Sequence, residues 1–408
     1  MGIELTNKSF KGESRDPWIL PIIVLAQFCC TSVWFATNGV MSSMTESFQL
    51  DDSAIGQLTS AIQFGFIIGT LTYALLCIAD RFSPSRVFLV SALLAAAFNV
   101  LIQVESNNLA TLLFLRFGTG FFLAGIYPVG MKIAADHFEK GLGKSLGYLV
   151  GALVLGTALP HLLQGFFSAS NWQWVLSLTS LLAVIGGLSM YLFVPNGPYR
   201  KPGKGIDLGA SLRIFKNDYF RKAAFGYFGH MWELYTFWAF VPILIAYYNQ
   251  MHHVTTTSTL PVAFFVIAIG SMACISAGYL CEKIGHQSTA IYALIGSAIC
   301  CLLSPLFILW ASPLVFYAFL LFWGFAVIAD SPMLSTLVAQ SAVPEFKGTA
   351  LTIVNCIGFA ITIVSILMLN HLANHIPMEY LFLVLAIGPL AGLISLISKS
   401  SLAKNTQD

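Results

Sequence analysis

The sequence predicts an all-α integral membrane protein with twelve transmembrane helices in two pseudo-symmetric six-helix bundles and both termini in the cytoplasm. The composition, the spacing of the apolar runs and the placement of the basic residues each indicate this fold. Of 408 residues, 57% are hydrophobic and 9% are charged, whereas an ordinary soluble domain carries about 25% charged residues. Since a soluble core cannot bury so much apolar surface, lipid must solvate much of the chain.

Apolar runs between polar breaks predict the individual spans, because about 20 apolar residues cross the roughly 30 Å hydrocarbon core. The run that begins at Trp18 is too long for the core of a signal peptide and is interpreted as a retained first span. The predicted spans are 18–44, 53–78, 84–104, 110–135, 143–168, 173–194, 222–248, 259–281, 287–310, 313–340, 347–371 and 377–398.

The longest connection between spans contains the stretch NGPYRKPGKGID and separates six spans from six. It divides the chain into a first half and a second half, each a predicted six-helix bundle. The predicted segments are a cytoplasmic N-terminal segment at 1–17, the first half at 18–194, a cytoplasmic central loop at 195–221, the second half at 222–398 and a cytoplasmic tail at 399–408.

Lysine and arginine, which collect in cytoplasmic loops of membrane proteins, orient these spans. With both termini inside, 18 of the 20 Lys and Arg residues fall in inner segments, and the other two, Arg116 and Lys132, lie within the fourth span. The predicted outer loops SFQLDDS, VESNN and NQMHHVTTTST contain neither residue type. The pattern predicts a multi-pass protein of a bacterial-type inner membrane.

Two pairs of matching segments at nearly one offset predict an internal duplication. LCIADRFSPSR at 76–86 corresponds to GYLCEKIGHQ at 278–287, both after the second span of their half. The fourth span contains GFFLAGIYP, and the tenth contains GFAVIADSP with the same spacing of Gly and Pro, 204 residues later. We therefore expect the two halves to repeat one helical arrangement.

These segments resemble the major facilitator superfamily over essentially the whole chain. The family's loop motif after the second span reads roughly Gly-x-Leu-Ala-Asp-Arg-x-Gly-basic-basic. Here Leu76 replaces the first glycine, and SPS replaces the Gly-basic step, while Arg86 keeps a positive charge nearby. RFGTGFFLAG in the fourth span resembles the family's Arg-xxx-Gly motif through Arg116 and Gly120. The loop residues that match are Ile78, Ala79, Asp80 and Arg81.

The resemblance implies a transporter that works by alternating access, with spans one, four, seven and ten lining a central cavity. It also implies a cytoplasmic gate, whose charges pair across the inner loops while the cavity faces outward and separate when it opens inward. The gate residues would be Asp80, Arg81, Arg86, Glu282 and Lys283.

Charged residues deep in the predicted spans fall on cavity-type helices. A charge at a helix centre costs about 2.5–3.5 kcal/mol on insertion scales, so it faces a water-filled cavity or a partner in most cases. Arg116 lies in the fourth span, Glu233 in the seventh and Asp330 in the tenth. We therefore expect these three side chains to face the cavity.

Glu233, His230 and Asp330 are the candidates for proton coupling, because removal from water favours the protonated form of a carboxyl group. His230 precedes Glu233 by one turn, on roughly the same helix face. For Glu233 the alternatives are structural pairing and direct substrate contact. For Asp330 the alternative is that it satisfies the kink at Pro332.

Arg116 is a candidate for binding an anionic substrate through its planar guanidinium group. The alternative is that it holds the fourth span against a neighbouring helix. Most aromatic residues of the first and seventh spans are expected to be packing residues or interface anchors, but some are plausible cavity walls. The further substrate-binding candidates are Gln27, Trp34, Asn38, Tyr235 and Trp238.

Other function classes lack support in the sequence. No nucleophile–base constellation, phosphate-binding loop or long basic run occurs, and the eight cysteines lack the spacing of a zinc site. The sequence therefore predicts no enzyme, no cofactor or metal and no nucleic-acid partner. The prediction is a monomeric secondary transporter in the lipid bilayer, taking up a small organic anion or zwitterion with protons. The alternatives are a proton-antiport exporter of drugs, siderophores or metabolites, and a transporter-like sensor without flux.

Overall fold

The computed structural model describes residues 17–51, 53–138, 142–167, 171–200, 214–255, 258–343 and 347–398. Within these ranges the chain forms helices and turns and no β-strand. The predicted tail, the predicted N-terminal segment apart from Pro17, and 201–213 of the predicted central loop lie outside the described residues.

The helices of the first half follow the six predicted spans, with the first and fourth spans interrupted. They are α1 Ile19–Thr31, α2 Ala36–Gly39, α3 Met41–Phe48, α4 Ala54–Leu75, α5 Ile78–Arg81, α6 Pro84–Val100, α7 Leu109–Leu123, α8 Tyr127–His137, α9 Leu142–Phe166 and α10 Gln173–Phe193.

The helices of the second half follow in the same way, with the tenth and twelfth spans interrupted. They are α11 Asp218–Met251, α12 Thr259–Ile284, α13 His286–Trp310, α14 Pro313–Ala329, α15 Ser331–Ser341, α16 Lys347–Leu372, α17 Met378–Leu381 and α18 Ile387–Ile397.

Ten spans among the described residues are long and apolar enough to cross a membrane, counting interrupted helices such as Leu109–His137 as one. Two predicted spans are not among the ten. The first is broken after Thr31, which leaves a short apolar helix. The seventh forms α11, which has 34 residues but contains many polar and Tyr or Trp side chains. The count of twelve spans and the sides of the termini stay predictions.

The glycine–proline segments interrupt the fourth and tenth spans at corresponding places. Pro128 and Pro332 lie in the first turn of α8 and α15, where the missing N–H of proline leaves no hydrogen bond unmade. A Cβ atom on Gly120 would overlap the carbonyl oxygen of Ile62, and one on Gly324 would overlap that of Val266. These two partners are also 204 residues apart, so α7 packs on α4 as α14 packs on α12.

We expect Gly324→Ala to destabilise the protein, because the added methyl group would overlap backbone atoms. Backbone atoms cannot move aside as the end of a flexible side chain can. Overpacking costs about 1–3 kcal/mol. The matched control is Gly278→Ala in α12, where a Cβ has no neighbour within 4 Å and alanine favours the helix. Thermal unfolding of both variants in detergent measures the difference. Equal unfolding temperatures would contradict the close approach of α14 to α12.

Contacts of α4 with α16 and of α9 with α12 join the two halves. A Cβ on Gly56 would lie 3.0 Å from the Asn370 side chain, and one on Gly165 would lie 2.8 Å from that of Pro261. These four residues mark what we term the far end of the bundle, where the halves are in close contact. The basic end is the opposite one, which carries Arg81, Arg86, Lys132 and Lys283.

Candidate functional site

A cavity of about 460 Å³ lies between the two halves and reaches the basic end. Tyr127 of α8 contributes to its wall from the first half, and Pro332 and Met333 of α15 contribute from the second. Glu282, an exposed residue, and His286 also line it. Since the halves are packed together at the far end, the cavity is open from the basic end only in the described part of the chain.

A buried histidine–aspartate pair lies beyond the cavity wall. His230 of α11 and Asp330, between α14 and α15, are 1% and 2% exposed. The His230 Nδ1 atom is 2.8 Å from the Asp330 Oδ1 atom, an ion-pair distance without the alignment of a hydrogen bond. Within the described residues, His230 Nε2 has no hydrogen-bond partner. Asp330 is two residues before Pro332, so the pair lies next to the end of the cavity that is remote from the basic end.

The interruption at Asp330 does not depend on its carboxylate. Pro332 cannot donate a hydrogen bond to the carbonyl of Ile328. That carbonyl instead accepts the Asp330 N–H and the thiol of Cys274, whose Sγ lies at 3.7 Å. The Asp330 side chain makes no capping hydrogen bond to α15. It is therefore available to His230, and the predicted alternative of a kink-satisfying side chain lacks support.

Three tyrosines of α8 and α11 carry unpaired hydroxyl groups. The hydroxyl groups of Tyr127, Tyr227 and Tyr235 make no hydrogen bond to another described residue. The ring of Tyr227 is 5.9 Å from that of His230. Of the three, Tyr127 lines the cavity, where its hydroxyl group can donate to a ligand.

The Glu233 side chain does not lie beside that of His230, although the two residues are one turn apart on α11. Its oxygens accept hydrogen bonds from Ser297 Oγ at 2.6 and 2.7 Å, from Trp323 Nε1 at 2.7 Å and from Cys301 Sγ at 3.2 Å. These partners lie on α13 and α14, so the carboxyl group connects three helices of the second half. The expectation that Glu233 faces the central cavity is not met, since the side chain is 2% exposed and points into its own half.

Arg116 of α7 binds the interrupted first span. Its Nη1 and Nη2 atoms donate to the carbonyl oxygens of Val33 and Trp34, at 3.2 and 2.5 Å. Both carbonyls belong to the segment between α1 and α2, where the helical hydrogen bonds are broken. The guanidinium group is fully buried, and its Nε has no partner among the described residues. These contacts favour the alternative that Arg116 holds the fourth span to a neighbour.

Aromatic rings from both halves meet where the first span contacts the seventh and eleventh spans. Trp34 lies 5.8 Å from Tyr235 and 5.8 Å from Phe359, at interplanar angles of 27° and 23°. Phe66 lies 4.6 Å from Phe359, and all four rings are buried. We call the aromatic cluster the set of Trp34, Phe35 and Phe66 from the first half and Tyr235, Trp238 and Phe359 from the second.

Polar groups without partners border this cluster. The indole N–H groups of Trp34 and Trp238 and the side-chain amides of Gln27 and Gln63 are buried and have no hydrogen-bond partner among the described residues. Since most buried polar groups are paired, such groups suggest a site that a ligand or water fills. Asn38 differs, because its Nδ2 donates to Thr59 at 2.8 Å.

The predicted gate residues lie at the basic end, where Arg81, Arg86, Glu282 and Lys283 are exposed. Asp80 pairs with Lys132 of its own half at 3.0 Å. Arg200 donates to the carbonyl oxygens of Asp80 and Phe82. With the cavity open at this end, Asp80 is thus held within the first half.

Sequence reasoning missed several residues of the site. Gln63, an amide in an apolar run, could have been found by the rule that selected Glu233. Phe66, Phe359 and Tyr227 carry no such signal, because phenylalanine and tyrosine abound in this chain. In the described part of the chain, no group of three His, Cys, Asp or Glu residues could hold a metal ion.

Comparisons with known proteins cover most of the chain. The family model described as Major Facilitator Superfamily matches residues 23–366. The xylose transporter XylE from E. coli superposes with a TM-score of 0.72 at 15% identity, over 93% of this chain and 98% of that one. The human organic anion transporter MFSD10 gives 0.69 at 16% identity, over 93% and 98%. At such identities these structures show the fold alone.

Curated relatives match shorter parts of the sequence. The 4-hydroxybenzoate transporter PcaK of Pseudomonas aeruginosa is 28% identical over 165 residues, and the match spans only 39% of this chain and 36% of that protein. The cis,cis-muconate transport protein of Acinetobacter baylyi is 23% identical over 334 residues, 76% of each chain.

Proposed function

The chain belongs to the Major Facilitator Superfamily of solute transporters, and on that premise we propose that it is a secondary transporter taking up a small organic anion with protons. The observation that carries the proposal is the buried pair of His230 and Asp330 beside a cavity between the halves. The proposed movement is a rocking of the two six-helix halves, 18–194 and 222–398, which exposes the central site to each side in turn.

The histidine–aspartate pair is proposed as the proton-coupling site. The His230 Nδ1 and Asp330 Oδ1 atoms are 2.8 Å apart, and an imidazolium and a carboxylate at that distance would stabilise each other in a buried place, where an unpaired charge is costly. A proton added to Asp330 neutralises its carboxylate and leaves the imidazolium of His230 without a counter-ion. An organic anion then replaces the lost charge. The anion and the proton thereby enter the site together and leave it together.

The remaining residues are proposed to bind substrate or support the helices. Tyr127 in the cavity wall, Tyr227 beside His230 and Tyr235 in the aromatic cluster offer hydroxyl donors. Glu233 is proposed as a bracket between helices of the second half, since three side chains hold its oxygens. Arg116 is proposed as a clamp on the interrupted first span.

The gate is proposed to act at the basic end, which we place in the cytoplasm of a bacterial-type membrane. When the cavity closes there, the carboxylate of Asp80 is expected to break its ion pair with Lys132 and to pair with side chains of the second half. The charges proposed to meet Asp80, Arg81 and Arg86 are those of Glu282 and Lys283.

The names of two relatives support an organic anion as substrate, since 4-hydroxybenzoate and cis,cis-muconate are carboxylates. Uptake into liposomes containing the purified full-length chain tests the proposal. Carboxylates should accumulate when the outside is acidic, and a protonophore should abolish the accumulation. Proton-driven efflux of lipophilic cations would favour an exporter instead. Carboxylate binding without flux would favour a sensor.

A further inference from the structure

We propose that the aromatic cluster is the substrate site in its closed form and that it takes a planar aromatic carboxylate. The inference rests on the proposed function, because it names the class of anion carried. Its basis is the stacked rings contributed by opposite halves, together with the unpaired N–H groups around them.

The ring geometry favours a flat ligand. Trp34 of the first half lies nearly parallel to Tyr235 and Phe359 of the second, with ring centroids 5.8 Å apart in both cases. When the halves rock apart, these contacts across the interface are the ones that open. An aromatic ring entering the gap replaces each lost ring contact by another, whereas a saturated ring of the same size cannot stack on either face.

The unpaired polar groups favour a carboxylate. An indole N–H donates and cannot accept, and those of Trp34 and Trp238 are buried without an acceptor. Gln63 lies one turn before Phe66 on α4, and both of its amide atoms are also unpaired. The unpaired N–H groups of these three residues outnumber the one unpaired amide oxygen, so a group that brings several acceptors suits this set. A carboxylate is such a group, whereas a hydroxyl-rich solute brings as many donors as acceptors.

The cluster is also placed to receive a ligand from the cavity. Tyr127 of α8 lines the cavity. Gln27 lies against α8 at Gly130, one turn beyond Tyr127. A Cβ atom on Gly130 would overlap the amide oxygen of Gln27. Gln27 precedes Trp34 of the cluster by seven residues in the first span, so a ligand that moves from the cavity to the cluster as the halves separate would pass it.

The test compares benzoate with cyclohexanecarboxylate, which share a carboxylate and a six-membered ring but differ in planarity. Calorimetric titration of the purified full-length protein should give about tenfold tighter binding of benzoate, because ring stacking on two faces adds to simple burial. Phe359→Leu should reduce the ratio to about threefold or less, because one stacking face is lost. Phe316→Leu is the matched control, since Phe316 is buried and stacks on Tyr248 within the second half.

A second probe tests the donors. Benzyl alcohol has the ring without the carboxylate and should bind at least about tenfold more weakly than benzoate, because charged acceptors make stronger hydrogen bonds. Gln63→Leu should weaken the binding of benzoate more than that of benzyl alcohol.

The failure of this inference is distinguishable from the failure of the proposed function. Equal binding of benzoate and cyclohexanecarboxylate by the wild type, with proton-driven uptake of both, would overturn the aromatic site and leave anion transport intact. An unchanged ratio of benzoate binding to cyclohexanecarboxylate binding in Phe359→Leu would overturn the aromatic site as well. If Phe359→Leu does not fold, the same comparison is made with Phe66→Leu. If the protein neither binds nor carries any carboxylate, both proposals are wrong.

Discussion

Asp330→Asn should abolish proton-driven accumulation of substrate while leaving exchange of substrate across the membrane. With one proton carried per anion, a gradient of one pH unit can concentrate the anion about tenfold, because one unit corresponds to about 1.4 kcal/mol. The accumulation ratio of the variant should fall to about 1, since asparagine keeps the shape of the side chain but cannot exchange a proton. Liposome uptake with and without a pH gradient measures both quantities.

Glu233→Gln is the control for this experiment. Glu233 is as buried as Asp330, but its hydrogen bonds to Ser297, Trp323 and Cys301 all lie within the second half. Its substitution should lower the unfolding temperature and leave the accumulation ratio unchanged. If Glu233→Gln loses accumulation and Asp330→Asn keeps it, the coupling site is Glu233 and the proposed role of the histidine–aspartate pair is wrong.

The second large effect is expected on stability. Arg116→Met removes the donors to the carbonyl oxygens of Val33 and Trp34. These carbonyls lie in the interruption of the first span, where helical hydrogen bonds are missing. Each buried carbonyl left unpaired costs about 1–3 kcal/mol. The cost of two unpaired carbonyls exceeds the free energy gained by removing a buried charge, because carbonyls at the end of a helix already stabilise that cation. Thermal unfolding in detergent measures the loss.

Arg221→Met is the matched substitution for Arg116→Met. Arg221 pairs with Asp218 at 2.8 Å, and its side chain is 45% exposed, so its loss should change the unfolding free energy by about 0.5 kcal/mol or less. If Arg116→Met unfolds at the wild-type temperature but binds carboxylates more weakly, Arg116 is a substrate ligand rather than a clamp.

Membership of a family of solute transporters was within reach of the sequence, and the family match confirms it. The composition and the length of the apolar runs predicted helices solvated by lipid. The glycine–proline repeat predicted equivalent packing in the two halves, and the contacts of Gly120 and Gly324 show it. These features belong to single helices or to one backbone contact, so spacing along the chain is enough to find them.

The candidate site was predicted only in part, because side-chain partners depend on how each helix is rotated. His230 and Glu233 are three residues apart and differ by about 60° around α11 at 3.6 residues per turn. In a tightly packed bundle that rotation separates a contact with Asp330 from one with Ser297. The sequence marked both as candidates and could not tell them apart.

The sequence by itself determined which residues are costly to bury, since charge and hydropathy are properties of the residue type. Arg116, Glu233 and Asp330 were identified in that way. Only the tertiary structure decided what compensates each cost, namely two carbonyls for Arg116, three hydrogen-bond donors for Glu233 and a histidine for Asp330. Those partners lie 64 to 100 residues away along the chain, and only helix packing brings them within hydrogen-bond or ion-pair distance.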